Sequence, residues 1–262
     1  IVVPVAAGGL TDILAREIGA RLSTRLNQAV VIENKAGAGG IIGMEFAAKL
    51  PADGYNLLMA YPGPVVVNPW IYRNLPYDPA KDFVPVHLLA SYAVVLAVNS
   101  TFPAKTVREF IDHVKANPGK INYGSAGNAT LANLTMELFK RSAGIDLVHV
   151  PYKGAAPAMN DLVAGHTAAV FDSVALVRPQ VEAGRIRALG ISSRQRSSAM
   201  PDVPPIAESG VPDFEALGWY GIMAPKGVPA PIIARLSREL SAILKEPDVR
   251  AKLQSQALEV ID

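Results

Sequence analysis

The sequence has no cysteine at all, which excludes thiolate catalysis, disulfide staples and most structural zinc sites together. It is also poor in charge, with 18% Asp, Glu, Lys and Arg and a formal net charge of +2. The lysines and arginines are scattered, whereas a nucleic-acid surface shows a basic stripe with interleaved aromatics, so no nucleic-acid partner is expected. No apolar run approaches the roughly 18 residues that would span a bilayer, and no basic-then-apolar leader precedes Ile1. Because the chain opens inside an apparent strand, Ile1-Val2-Val3-Pro4-Val5, it reads as a trimmed mature form. Histidine is scarce too: His87, His113, His149 and His166 lie far apart with no companion at ligand spacing, so no metal site is expected.

Apolar residues are plentiful, at half of the chain, and 262 residues suggest two domains. Short β-rich runs alternate with amphipathic stretches almost end to end, the pattern of an α/β protein with mostly parallel sheets. The spacing predicts strands at 1–5, 29–33 and 56–60 with helices at 11–25 and 40–49. Leu14, Ile18, Leu22 and Leu26 keep helical spacing and should face the core. After Tyr61 the prolines Pro62, Pro64, Pro69, Pro76 and Pro79 predict loop with a short turn. A continuous apolar strand at 93–98 should lead into a second domain. That domain is expected to hold strands at 122–123, 147–149, 168–171 and 188–191, and helices at 107–116, 131–143, 156–164 and 176–183. A strand at 216–225 and helices at 229–245 and 247–256 close the chain. If the strand near Trp219 returns beside 93–98, the domains comprise 1–98 with 220–262, and 99–219, joined by a two-strand hinge.

Two glycine-rich turns carry the functional reading. Val5-Ala6-Ala7-Gly8-Gly9-Leu10-Thr11-Asp12 and Tyr123-Gly124-Ser125-Ala126-Gly127-Asn128-Ala129-Thr130 each leave an apolar strand and open a helix, in opposite halves of the chain. A helix N-terminus offers unpaired N–H groups and about half a positive charge, so together they read as one anion clamp suited to a small carboxylate. Thr11 is the better contact candidate at the first mouth, since the charge of Asp12 is already stabilised by the helix dipole.

Other motifs have plainer readings. The run Glu33–Gly43 resembles a dinucleotide fingerprint with one residue too many, and no acid ends the next strand, so a tight turn with close helix packing is expected. Gly124-Ser125-Ala126-Gly127 invites a nucleophile-elbow reading with His149 and Asp172. The elbow needs glycine where Tyr123 stands, and the chain order is wrong; Ser125 then serves as a hydrogen-bond donor at a helix start. Asp172, followed by Ser173, ends an apolar strand and is either a ligand contact or the N-cap of the next helix. The Tyr152 ring either lines the cleft or lies under the sheet.

The chain also resembles the extracytoplasmic receptors of tripartite tricarboxylate transporters, the TctC or Bug type, over essentially its whole length. The residues that carry this are Pro4–Asp12, Glu33–Gly40, Asp53-Gly54-Tyr55, Leu75–Pro79, Lys81-Asp82-Phe83, Asn117–Lys120, Tyr123-Gly124-Ser125, His149–Gly154 and Met200–Pro204. The resemblance implies a periplasmic binding protein fold of type II, a periplasmic location and no chemistry. It implies that a mono- or dicarboxylate, aromatic or amino acid ones among them, is captured in a cleft between domains and delivered to integral-membrane subunits. The pincer role falls on Ala6 to Thr11 from one side and on Ser125 to Thr130 from the other, and the expected ligand-binding residues there are Val5, Ala6, Gly9, Leu10, Thr11, Asp12, Ser125, Gly127, Asn128, Ala129, Thr130 and Asn133. Tyr61, Tyr152, Asp172 and Ser173 complete the expected site, with no cofactor and a monomeric receptor. Val5 and Ala7 stand where the family commonly has phenylalanine and proline, Leu10 where a small residue is common, and Asn133 where many members have histidine. The alternatives are a carboxylate sensor for a signalling partner, and an enzyme using Asp172 or His149 as acid or base.

Overall fold

The computed structural model describes residues 1–261. In chain order the first elements are β1 (Val2–Val3), α1 (Leu10–Leu26), β2 (Glu33–Asn34), a 3-10 turn (Ala38–Gly40), α2 (Ile41–Ala48) and β3 (Leu58–Ala60). A π-helical turn (Gly63–Val67) leads into α3 (Asn68–Ile71), α4 (Pro79–Asp82) and the long β4 (Phe83–Asn99). Then come α5 (Val107–Ala116), β5 (Asn122–Ser125), α6 (Leu131–Ala143), β6 (Val148–Pro151), α7 (Ala155–Ala164), β7 (Ala169–Ser173), α8 (Val174–Glu182) and β8 (Ile186–Ile191). The chain finishes with β9 (Leu217–Pro225), α9 (Ala230–Leu244), α10 (Pro247–Ser255) and β10 (Glu259–Val260).

These elements form two compact units. The first takes residues 1–91, 219–254 and 258 onward; the second takes 92–218 and 255–257. The chain therefore passes from one unit to the other inside β4, between Ser91 and Tyr92, where the sequence reading put the crossing after Val98. It returns inside β9, between Gly218 and Trp219.

In the first unit the strand order is β2-β1-β3-β9-β4, with β10 also on β4. β1 is parallel to β2 and β3, whereas β9 runs antiparallel to β3 and β10 antiparallel to β4. Leu14, Ile18 and Leu22 of α1 are fully buried, as their spacing predicts, while Leu26 at the helix end is half-buried. In the second unit β5 is parallel to both β6 and β7, and β4 is antiparallel to β7 and β8. One face of this sheet packs on Phe110 of α5 and Met136 and Phe139 of α6; the other packs on Met159 and Leu162 of α7 and Val174 and Val177 of α8. The parallel run of β5, β6 and β7 brings the turns after Ser125, Pro151 and Ser173 out at a single edge of that sheet.

Three expectations are corrected. The predicted strand at 29–33 pairs only at Glu33 and Asn34, because it lies at the sheet edge. Val30 and Ile32 meet α1 instead: a Cβ on Gly19 would stand 2.9 Å from Ile32 Cδ1. The stretch after Tyr61 is helical over much of its length, since proline is compatible with a first helical turn and Pro69 and Pro79 occupy such positions. β4 runs ten residues further toward the N-terminus than its apolar core, from Phe83, and Pro85 near its start hides it from a compositional reading.

Candidate functional site

The first glycine turn is held by its own helix. Gly9 is the N-cap of α1 in extended backbone, so Asp12 is the third helical residue. Its side chain reaches back to accept the Gly8 N–H at 2.9 Å, and Gly8 adopts φ +91°, which glycine takes without strain. Arg16 Nε donates to the same carboxylate at 2.9 Å, and Asn34 Nδ2 donates to its other oxygen at 2.9 Å and to the Val5 carbonyl at 3.1 Å. The Asp12 carboxyl is 2% exposed. The Arg16 hydrogen bond, against the cost of burial and helped by Gly8 and Asn34, holds it down to about 2. Asp12 is thereby committed to shaping the turn. Ala6 and Gly9 are exposed, Leu10 is half-buried and Thr11 is buried. The N–H groups of Leu10 and Thr11, first in the helix, have no acceptor within it.

The second turn repeats this design with neutral groups. Thr130 is the N-cap of α6 and accepts the Asn133 N–H at 3.3 Å. Asn133, again the third helical residue, accepts the Ala129 N–H on Oδ1 at 3.0 Å, as Asp12 does for Gly8. Behind it runs a chain of polar contacts: Asn133 Nδ2 donates to the Tyr123 hydroxyl at 2.8 Å, which donates to Glu137 at 2.6 Å, and Lys140 pairs with Glu137 at 3.1 Å. Burial and the Glu137 contact push the Tyr123 phenol well above its ordinary value. Ser125 Oγ accepts the Gly127 N–H at 3.2 Å and lies 2.7 Å from His149 Nε2. The His149 ring stacks on Tyr123, with centroids 4.8 Å apart, and burial lowers its pKa. Gly127 and Ala129 both have positive φ, and Asn128 between them is exposed.

The Tyr152 hydroxyl donates to Asp161 of α7 at 2.5 Å, and its ring packs by Gly124. Burial and Asp161 together push this phenol up to about 12. β7 extends through Asp172 and Ser173, so Ser173 rather than Asp172 is the N-cap residue of α8; it makes no side-chain cap bond. Asp172 Oδ1 accepts the Ser173 N–H at 2.7 Å, and burial raises this acid to about 6. In the first unit Tyr61 is half-buried against Gly40 and Gly63, and burial raises its phenol to about 12.

The glycine run before α2 is a packing device. A Cβ on Gly43 would stand 2.5 Å from Pro4 Cβ and 2.8 Å from the Lys35 carbonyl, so α2 lies against the backbone of β1 and β2. Arg16, Asn34, Glu137 and Lys140 were not singled out by sequence reading. The i, i+4 spacing of Asp12 and Arg16 and the i, i+3 spacing of Glu137 and Lys140 were the available signals. Among the described residues no group of three or more His, Asp or Glu could hold a metal, and no helix is long and apolar enough to cross a membrane.

Two α/β units, each with a strand running into an amide-rich helix start, define the class of solute-binding receptors with a periplasmic binding protein fold. Within that class, the model of the tripartite tricarboxylate transporter family receptor, TctC, matches residues 14–262. The chain belongs to this family, whose members are periplasmic receptors working with tripartite transporter membrane subunits. Protein BugT of Bordetella pertussis is 37% identical over 250 residues, covering 95% of this chain and 77% of that protein. Two solved structures of Rhodopseudomonas palustris proteins are also similar. Rpa4515 with adipate has a TM-score of 0.83 and 37% identity, covering 99% of this chain and 87% of that one. MatC with bound malate has a TM-score of 0.79 and 34% identity, covering 99% and 88%.

Proposed function

We propose that this receptor captures a small carboxylate on amide-rich helix starts, the turns ahead of α1 and of α6, and passes it unchanged to the membrane subunits of its transporter. The observation that carries this reading is the matched construction of the two turns. In each, the third helical side chain holds back the amide preceding the N-cap, which leaves the first two helical N–H groups free for an anion. The relatives with adipate and malate supply the ligand class. Neither turn contains an arginine or lysine, so amides, with Thr11 and Asn128, do the holding, in part through ordered water; the Thr130 hydroxyl is spent on the Gly127 carbonyl and the Asn133 N–H. Export to the periplasm and action as a monomer complete the proposal.

The Ser125–His149 contact is the one observation that favours an enzyme. A nucleophile must present its oxygen, yet Ser125 is 2% exposed and its Oγ already accepts the Gly127 N–H. Among the described residues no carboxylate bonds to His149, so the third member of a triad is missing. We therefore assign the pair to holding the turn, and expect bound carboxylate to be recovered unaltered.

Proline at the first helical position tests the reading directly, because it removes one N–H while fitting the helix. Gly9 and Thr130, which precede these positions, already have the extended backbone that a following proline requires. Leu10→Pro and Leu131→Pro should each weaken carboxylate binding about tenfold or more in calorimetry, for the loss of a charge-assisted hydrogen bond, with circular dichroism unchanged. Silence of the unaltered protein across aliphatic, aromatic and amino acid carboxylates would reject the proposal.

A further inference from the structure

We infer that Asp172 selects among carboxylates, favouring those that carry a hydrogen-bond donor, an ammonium or hydroxyl group, close to the carboxylate. This rests on the carboxylate-receptor reading above and names the ligand class within it. β5 and β7 are parallel neighbours in the register Tyr123 with Ala169 and Gly124 with Val170. Continued two positions, that register sets Ala126, at the start of the second turn, level with Asp172, so the acid and the turn that carries Gly127 and Asn128 leave the sheet at the same edge. A ligand whose carboxylate is held by the amides of that turn has its neighbouring substituent within the reach of the same strand end.

Among the described residues Ser173 alone donates to Asp172. Strand alternation puts it on the face of Val170, and it lies opposite Val95 on β4; both valines belong to the apolar core under α7 and α8. Its Oδ1 takes the Ser173 N–H at 2.7 Å, with the Ser173 hydroxyl at 3.4 Å. Among the described residues no Lys, Arg or His forms an ion pair with it, and Oδ2 accepts no hydrogen bond. This acid is raised by burial only to about 6, so above neutral pH it is still an anion with a vacant acceptor. A ligand ammonium or hydroxyl fills that acceptor. A plain second carboxylate brings a like charge to it instead, and an analogue lacking the donor leaves it unpaired; a site built to bond a substrate donor discriminates strongly against such analogues.

The test is calorimetry at pH 8 on the full chain with matched acids: succinate, malate and aspartate, then glutarate, 2-hydroxyglutarate and glutamate. In the unaltered protein the best donor-bearing member of a set should bind about tenfold or more tighter than its plain diacid, as for a hydrogen bond to a charged acceptor. Asp172→Asn should bring each set within about threefold while still binding the plain diacids. Asp172→Ser is the second variant should the first fold poorly, and the comparison within the unaltered protein needs neither. Plain diacids equalling or beating their partners, or a ratio that survives both variants, overturns the role of Asp172 and leaves the receptor reading intact. No binding of any acid in this panel overturns the role of Asp172, and silence toward aromatic and monocarboxylic acids as well overturns the receptor reading.

Discussion

At the scale of single residues, Asp12 and Asn133 do the same work with different charge. Both sit third in a helix and fold back on the amide before the N-cap, a variant of the capping box. Asp12 brings an anion to a helix start meant for anions, and Arg16 offsets it. Asp12→Asn should cost about 1–3 kcal/mol at neutral pH, the range for losing hydrogen bonds to a charged group. The sign of its pH dependence follows from the lowered acid. Because the folded value, about 2, lies below the unfolded 3.8, the contribution is present above pH 4 or so and is lost as pH falls through 2. Urea titrations of the two proteins should therefore differ clearly at pH 7 and converge toward pH 2; a constant gap would show that the charge on Asp12 contributes nothing.

At the scale of elements, glycine works by proximity as well as by conformation. Gly43 has ordinary helical backbone, but α2 could not approach Pro4 and Lys35 if a Cβ stood there. Gly43→Ala forces α2 away from the strand that feeds the first ligand turn, and overpacking of this kind costs roughly 1–3 kcal/mol. Thermal denaturation should show that loss, and carboxylate affinity should fall with it as the Val5–Gly9 segment moves. A variant as stable as its parent would mean that Pro4 yields freely. α6 shows the complementary case, in which the Thr130 cap, the Asn133 bond and the buried Phe139 anchor both ends of the helix, so the turn ahead of it is fixed from behind.

At the scale of the whole molecule, two units fold around separate cores, and each presents one amide-rich helix start. Ligand at about 100 times its Kd should add about 2.7 kcal/mol, a rise in Tm of roughly 5–10 °C for a chain of this size. Leu10→Pro and Leu131→Pro lie in different units, and a tenfold loss of affinity in either should remove about half of that rise in differential scanning fluorimetry. A loss confined to one of them would mean that a single turn holds the ligand.

The α/β class, the helices at 107–116 and 131–143, and both amide-rich turns were legible in the chain, because hydrophobic period, Thr caps and glycine placement are local properties. Family membership was legible for a related reason: its motifs are short ordered strings such as His149–Gly154. Tertiary structure alone decided that β4 begins at Phe83, that the run at 29–33 packs against Gly19 more than it pairs, and that Asp12 spends its carboxylate on Gly8, Arg16 and Asn34. It also decided that Tyr152 turns its hydroxyl to Asp161 and that Asp172 takes the Ser173 N–H with, among the described residues, no cation paired to it. The physical reason is common to all of these. A ladder partner, a desolvated acid or a distant asparagine is defined by residues tens of positions away, and only the folded chain brings them within hydrogen-bond range.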